Sequence, residues 1–184
     1  MENERQLINL NVTVTDLGFS PKGDCTKIVV DHINNAKKNI YVQAFSFTSE
    51  PIANALVAAY KRGIEVRAIL DKGQKHAKKS EGIVLAKSGI PVQIDDKHAI
   101  AHNKVIIIDE EYILTGSFNF TFSAQQNNAE NAICLRSKDL ASIYLDNWKH
   151  HSEHSINYNN SKEFIKSQKE SIIRRIINRI IDLF

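Results

Sequence analysis

The stretch His102-Asn103-Lys104-Val105-Ile106-Ile107-Ile108-Asp109, followed by Tyr112-Ile113-Leu114-Thr115-Gly116-Ser117-Phe118-Asn119, decides how this chain is read. Written as a pattern it is H-x-K-x4-D-x6-G-S-x-N. The apolar run from Val105 to Ile108 reads as a strand, about Lys104 to Asp109, and side chains two apart on a strand share a face. His102 and Lys104 can therefore converge on one small anionic group, such as a phosphate. Asp109-Glu110-Glu111 is short enough for a tight hairpin into a second strand, Tyr112 to Thr115. That strand delivers Ser117 and Asn119 from an adjacent turn. An imidazole able to act as a nucleophile, a fixed cation and an amide donor make a phosphodiester-cleaving site that needs no metal.

Outward from this hairpin, strand-like and helix-like periodicities alternate. Asn11 to Thr15 reads as a first strand, and Asp24 is the expected N-cap of a helix reaching Lys37 or Lys38. Ile40 to Phe47 reads as a buried strand. Ser49-Glu50-Pro51 opens a helix that points Ile52, Leu56, Ala59 and Tyr60 inward and ends at Gly63. Ile64 to Leu70 is another strand, ending at Asp71 ahead of the basic segment Lys72 to Lys79. A short helix from Glu81 to Lys87 leads through Gly89 to a strand at Pro91 to Ile94. Beyond the hairpin, Ala132 to Leu135 reads as a strand and Lys138 to His151 as a closing helix.

The expected fold class is α/β, with a mixed central β-sheet flanked by helices on both faces. Its βαβ units pair in parallel and its hairpin antiparallel. Residues 1–154 form the expected domain and 155–161 a polar linker. Residues 162–184 form a basic amphipathic helix, whose isoleucines from Ile172 to Ile181 recur at helical spacing.

The 184 residues suit one domain with a full core, and 42% apolar with 24% charged residues argues against disorder. The net charge of +3 is not spread evenly. Residues 162–184 hold six Lys or Arg and three Asp or Glu, leaving 18 of each sign elsewhere. Affinity of the body for nucleic acid must come from local clusters, not a global field. Cys25 and Cys134 lack metal-type spacing and read as buried thiols. Met1 to Arg5 is polar with no apolar leader, and no run approaches the length of a membrane span. The expected localisation is therefore cytoplasmic.

The motif resembles the HKD signature of the phospholipase D superfamily. The wider chain resembles that superfamily's small single-motif bacterial endonucleases. Phe19-Ser20-Pro21-Lys22-Gly23-Asp24, Ala44-Phe45-Ser46-Phe47-Thr48-Ser49, Gly116-Ser117-Phe118-Asn119-Phe120-Thr121 and Asn128-Ala129-Glu130-Asn131 carry the likeness. The resemblance implies a phosphodiesterase without cofactor, in which His102 attacks phosphorus to form a covalent phosphohistidine. Lys104 and Asn119 would hold the non-bridging oxygens as charge develops. Ser117 would support the phosphate pocket, and Glu130 would orient the nucleophilic imidazole through its other ring nitrogen. Asp109 reads as a structural residue at the strand end. The leaving alkoxide needs a proton from a second imidazole, and one chain supplies one motif. Stoichiometry and the likeness together imply a homodimer, with His102 from two chains facing across a two-fold axis.

Lys72, Lys75, Lys78 and Lys79 follow a strand's carboxyl end and are candidate contacts to a nucleic-acid backbone. The expected activity is a non-specific, metal-independent endonuclease acting on DNA or RNA. Two other readings stand beside it. One is a phospholipid hydrolase whose segment 162–184 contacts a membrane or a partner protein. The other is a nucleic-acid-binding module without turnover. His150 and His154, four apart on a helix, suit a metal pair, yet no third ligand stands at a diagnostic spacing. A solvated helix end is expected there, with no metal site, and His76 and His98 read as surface or packed residues. Phe45, Phe47, Phe118, Phe120 and Phe122 could stack on bases, but strand alternation favours the core for most of them.

Overall fold

A computed structural model describes residues 10–75, 77, 79–158, 169, 172, 173 and 177. Among these residues one sheet is formed by β1 (Thr13–Ser20), β2 (Asn39–Ala44), β3 (Glu65–Asp71), β4 (Val92–Asp95), β5 (Lys104–Ile108), β6 (Tyr112–Gly116), β7 (Glu130–Arg136) and β8 (Ile156–Asn157). Their order across the sheet is β1-β7-β6-β5-β2-β3-β4-β8. The β2–β3 and β3–β4 pairs are parallel, and the other strand pairs are antiparallel. The helices are α1 (Cys25–Asn35), α2 (Glu50–Lys61), α3 (Gly82–Lys87), α4 (Phe122–Gln126) and α5 (Lys138–His154).

β5 shows why its sequence is apolar without alternation. Ile106 and Ile108 pack into the larger core with Ile33, Ile52 and Leu56 of α1 and α2. Val105 and Ile107 face the other way, joining Ile69, Ile113, Leu145 and Trp148 beneath α5. A strand buried on both faces has no solvent side to mark with polar residues. Burying each such side chain contributes about 1.5–3 kcal/mol of transfer free energy. The buried Trp148 ring keeps its polar edge satisfied, because Nε1 donates to the Val42 carbonyl at 3.0 Å. The mixed sheet and its two helical layers agree with the expected class.

Local chemistry explains where elements begin and end. Ser49 is the N-cap of α2, Pro51 sits in its first turn, and Gly63 follows its end at φ +88°. Asp24 does occupy the N-cap position of α1, but its side chain makes no capping bond. The Thr26 amide is instead satisfied by Oε1 of Gln125 in α4, at 2.8 Å. α1 stops at Asn35, short of Lys37, because the next backbone amides turn to another acceptor. The Asp109 carboxylate takes the amides of Lys37, Lys38 and Asn39. Tyr60 was expected inside and is instead partly exposed, while Ala53 and Ala55 are buried. The buried face of α2 thus combines Ile52 and Leu56 with the alanines Ala53, Ala55 and Ala59.

The first strand starts later than expected and runs further, to Ser20, pairing along β7. The stretch Ser155 to Ser161, expected as a linker, begins inside the sheet. Ile156 pairs with Ile94, Asn157 pairs with Gln93, and Tyr158 is buried. An edge strand is held through its backbone, so polar side chains do not forbid it. Within the expected 162–184 helix, Lys169, Ile172, Ile173 and Ile177 are helical and the three isoleucines are exposed. The rest of that segment lies outside the described residues.

Candidate active site

Antiparallel pairing sets the site. β5 opposes β2 with Lys104 beside Ala44, and β7 opposes β1 with Glu130 beside Ser20. The carboxyl ends of β2, β3 and β6 therefore meet the amino ends of β5 and β7 along one sheet edge. His102 immediately precedes β5, Ser117 and Asn119 follow β6, and Glu130 opens β7. The turn Lys72–Lys75 follows β3 as a short 3-10 helix.

The His102 side chain is exposed, and its ring packs against Phe45 with centroids 4.6 Å apart. Lys104 is buried, and its Nζ donates to the His102 carbonyl at 2.9 Å. The same ammonium lies 4.9 Å from the centre of the Phe45 ring, a cation–π contact. One bond to a carbonyl leaves two of its three N–H donors for a ligand. Burial pushes the Lys104 pKa below its ordinary value, and the Glu130 carboxylate acts in the opposite direction. A partly desolvated cation of this kind interacts more strongly with an anion than one in water.

Asn119 has a buried Oδ1 with no hydrogen-bond partner. The fold therefore leaves this side-chain oxygen without a donor. Ser117 Oγ accepts from the Asn131 backbone amide at 3.1 Å, so this hydroxyl ties the β6 turn to β7. Glu130 accepts from Asn128 Nδ2 at 3.1 Å, and no hydrogen bond joins it to His102. Its electrostatic effect on Lys104 is the link the single chain displays. Asp109 is at the other end of β5, accepting backbone amides from the α1–β2 connection.

The basic candidates divide. Lys72 is exposed and donates from Nζ to the His98 carbonyl at 3.0 Å. Lys75 is half-buried. Lys79 is exposed and lines a groove of about 510 Å³ with Thr48, Ser49, Thr121, Phe122 and Gln125. Lys78 and His76 lie outside the described residues.

A family model described as "Cardiolipin synthase, PLD-like domain" matches residues 29–152, which takes in this whole arrangement. The chain belongs to the phospholipase D superfamily. It is 45% identical over 130 residues to the protein named Phospholipase D of Rickettsia prowazekii, covering 71% of this chain and 63% of that one. It is 30% identical over 114 residues to Mitochondrial cardiolipin hydrolase of Mus musculus, covering 62% of this chain and 52% of that protein. The matched part of the chain thus spans less than two thirds of the length of these curated relatives. Among solved structures it is similar to Nuc from Salmonella typhimurium, a phospholipase D family member. The TM-score is 0.77 at 37% identity, covering 80% of this chain and 99% of that one.

In this arrangement Phe45 and Asp71 hold positions that the sequence pattern does not announce. Strand alternation favours the core for Phe45, yet it touches both the imidazole and the ammonium. Its place directly after β2, opposite the start of the motif strand, was the available signal. Buried Asp71 accepts the Gly73 amide at 2.7 Å and the Ala101 amide at 2.8 Å. It thereby fixes both the basic turn and the residue next to His102. Nothing in the linear sequence joins positions 71 and 101.

The solvated helix end expected around His150 to His154 is corrected by the structure. His150 is indeed exposed, but His151 and His154 turn inward to Asp95, at 2.8 Å and 3.5 Å. His98 joins them, with Nδ1 2.9 Å from the same carboxylate oxygen. Burial alone would raise the Asp95 pKa, but hydrogen bonds from His151 and His98 outweigh it and hold the carboxyl at about 2. Cys25 and Cys134 are buried free thiols, and burial pushes Cys134 up to about 11. No helix of the described residues is long and apolar enough to cross a membrane.

Proposed function

We propose that this chain is a metal-independent phosphodiesterase acting as a non-specific endonuclease on DNA or RNA, with its active site shared between two chains. The observation that carries this reading is the exposed His102 imidazole, set beside a buried Lys104 with unspent donors. His102 attacks phosphorus through a neutral ring nitrogen while Lys104 and Asn119 hold the non-bridging oxygens. The departing alkoxide takes a proton from the imidazolium of the partner's His102. Water then attacks the phosphohistidine, giving a proton back to that second imidazole and releasing His102. Ser117 braces the pocket, Glu130 balances the charge around Lys104, and Asp109 holds the fold.

Among the described residues, one chain brings one motif imidazole, His102, to this edge, which is why the reading requires two copies. Leu17 and Phe19 of β1 are more than half exposed, at 53% and 62%, and Phe19 pairs with Asn131 beside the site. An apolar strip bordering an incomplete site suits a second copy of the chain. Lys72, Lys75, Lys78 and Lys79 would track the phosphate backbone. The similarity to Nuc, over nearly the whole of that chain, supports a nuclease.

A second reading is a phosphatidyl hydrolase at a membrane surface, with the 162–184 segment at the lipid or partner contact. It is favoured by the names of the relatives, Phospholipase D and Mitochondrial cardiolipin hydrolase. The deciding experiment incubates purified protein with DNA, RNA and labelled cardiolipin, each in EDTA. Cleavage of nucleic acid alone is expected. Cleavage of lipid alone would replace the first reading with the second. His102→Ala should abolish turnover and keep binding, and retained turnover would refute the nucleophile.

A further inference from the structure

Asp95, His98, His151 and His154 place four ligand atoms within 4.8 Å of one another. From this geometry we infer a zinc-type metal site, structural in role and separate from the His102 centre. It shares no residue with the proposed chemistry. The parts come from β4, the loop that follows it and α5, which meet at this point. Asp95 ends β4 and is fully buried. His98 lies in the loop leading to His102. His151 and His154, three apart on α5, share one helical face.

The α5 end is clamped to β4 independently of the cluster. Gln93 Nε2 donates to the Ser152 carbonyl at 3.0 Å, and Ser152 Oγ donates to Gln93 Oε1 at 2.7 Å. The imidazoles are thus preorganised against Asp95, and little ordering remains for a ligand to impose.

Hydrogen bonding alone does not account for all four groups. Asp95 can accept from His98 and His151, with contacts of 2.9 Å and 2.8 Å. His154 Nε2 is different: it is buried and has no hydrogen-bond partner, lying 3.5 Å from Asp95. A buried imidazole nitrogen left unpaired while aimed at a carboxylate and two more imidazoles is what a shared cation would satisfy. The rings surround one point closely, with centroids 4.9 to 5.3 Å apart among His98, His151 and His154.

Ligand chemistry selects the ion. Three imidazoles and one carboxylate suit Zn²⁺ or a similar first-row divalent metal, whereas Mg²⁺ and Ca²⁺ favour all-oxygen shells. Four protein ligands complete a tetrahedral sphere and leave no open position for substrate, which is the pattern of a structural site. The His98 side chain, 43% exposed, provides the entry path. Occupancy would pin the loop between β4 and β5, whose His98 carbonyl already receives Lys72.

The test uses the full chain, stripped with a chelator and titrated with ZnCl₂ by calorimetry, with Co²⁺ absorption as the readout of geometry. One equivalent per chain, a raised Tm and a tetrahedral Co²⁺ spectrum are expected. His151→Gln and His154→Gln should each weaken Zn²⁺ at least about tenfold, whereas His150→Gln should leave it unchanged. If the α5 variants fail to fold, His98→Gln on the loop gives the same reading. Absence of stoichiometric binding, an octahedral Co²⁺ spectrum, or equal loss in His150→Gln would overturn the site. Because nuclease turnover is not a readout, failure here is separable from failure of the proposed function.

Discussion

The Asp109 carboxylate accepts a 2.6 Å hydrogen bond from the backbone amide of Lys38. It also takes the amides of Lys37 and Asn39, closing the connection between α1 and β2. Asp109 lies five residue steps along the chain from Lys104, about 17 Å at the usual rise per residue. The third letter of the motif is therefore a fold residue. Asp109→Ala should lower stability by about 2 kcal/mol, since it strips the acceptor from several amides. Denaturant titration would measure that loss, and kcat of the folded fraction should change little. A large fall in kcat at unchanged stability would return Asp109 to the chemistry.

Lys104 should show opposite signs in activity and stability. Its pKa is lowered by burial, so the unfolded chain binds this proton more tightly than the folded one. Its contribution to stability thus improves as pH rises through the lowered pKa towards the unfolded value, while its charge on the phosphate is lost over the same range. Lys104→Met removes a buried charge and should raise Tm. The same change should reduce kcat by about 10²–10³-fold, the usual cost of one oxyanion contact. The wild type should also lose kcat on the alkaline side, a limb absent from Lys104→Arg. A fall in both Tm and activity would mean the lysine chiefly holds the fold.

A shared active site makes a quantitative prediction for mixed subunits. If two chains share the site as proposed, wild-type chains exchanged with His102→Ala chains would form hybrid dimers holding one His102. Activity should then follow the square of the wild-type fraction. A linear decline, measured across several mixing ratios, would mean that each chain carries a complete site.

Lys79 offers the clearest test of the basic edge, being exposed beside a groove. If it meets one phosphate, Lys79→Ala should reduce the slope of log K against log salt by about 0.9 on duplex DNA. Affinity should fall by similar factors across sequences. An unchanged slope would remove Lys79 from the interface.

Much of the fold was legible because its signals are local. Pro51 after Ser49, Gly63 after the last turn of α2, and the β5–β6 hairpin all read directly from neighbours in sequence. Asp24 marks the N-cap of α1 for the same reason, but its local chemistry does not reveal that Gln125, from a distant helix, takes the Thr26 amide. The polar stretch from Ser155 hid a strand, because β8 is recruited by the edge of β4 and not by its own composition.

The candidate site divides along the same line. The order of residues alone placed His102, Lys104, Ser117 and Asn119 in one motif, since two adjacent strands and their turns supply all four. It could not bring Phe45 to His102, or Asp71 to the amide of Ala101, because those contacts depend on how β2 and β3 lie beside β5. The histidines make the contrast sharpest. Sequence spacing drew attention to His150 and His154, four apart, whereas the fold selects His151 and His154 and adds Asp95 and His98 from another strand end. Helical periodicity names several equivalent pairs on a helix, and only packing against β4 decides which face is buried.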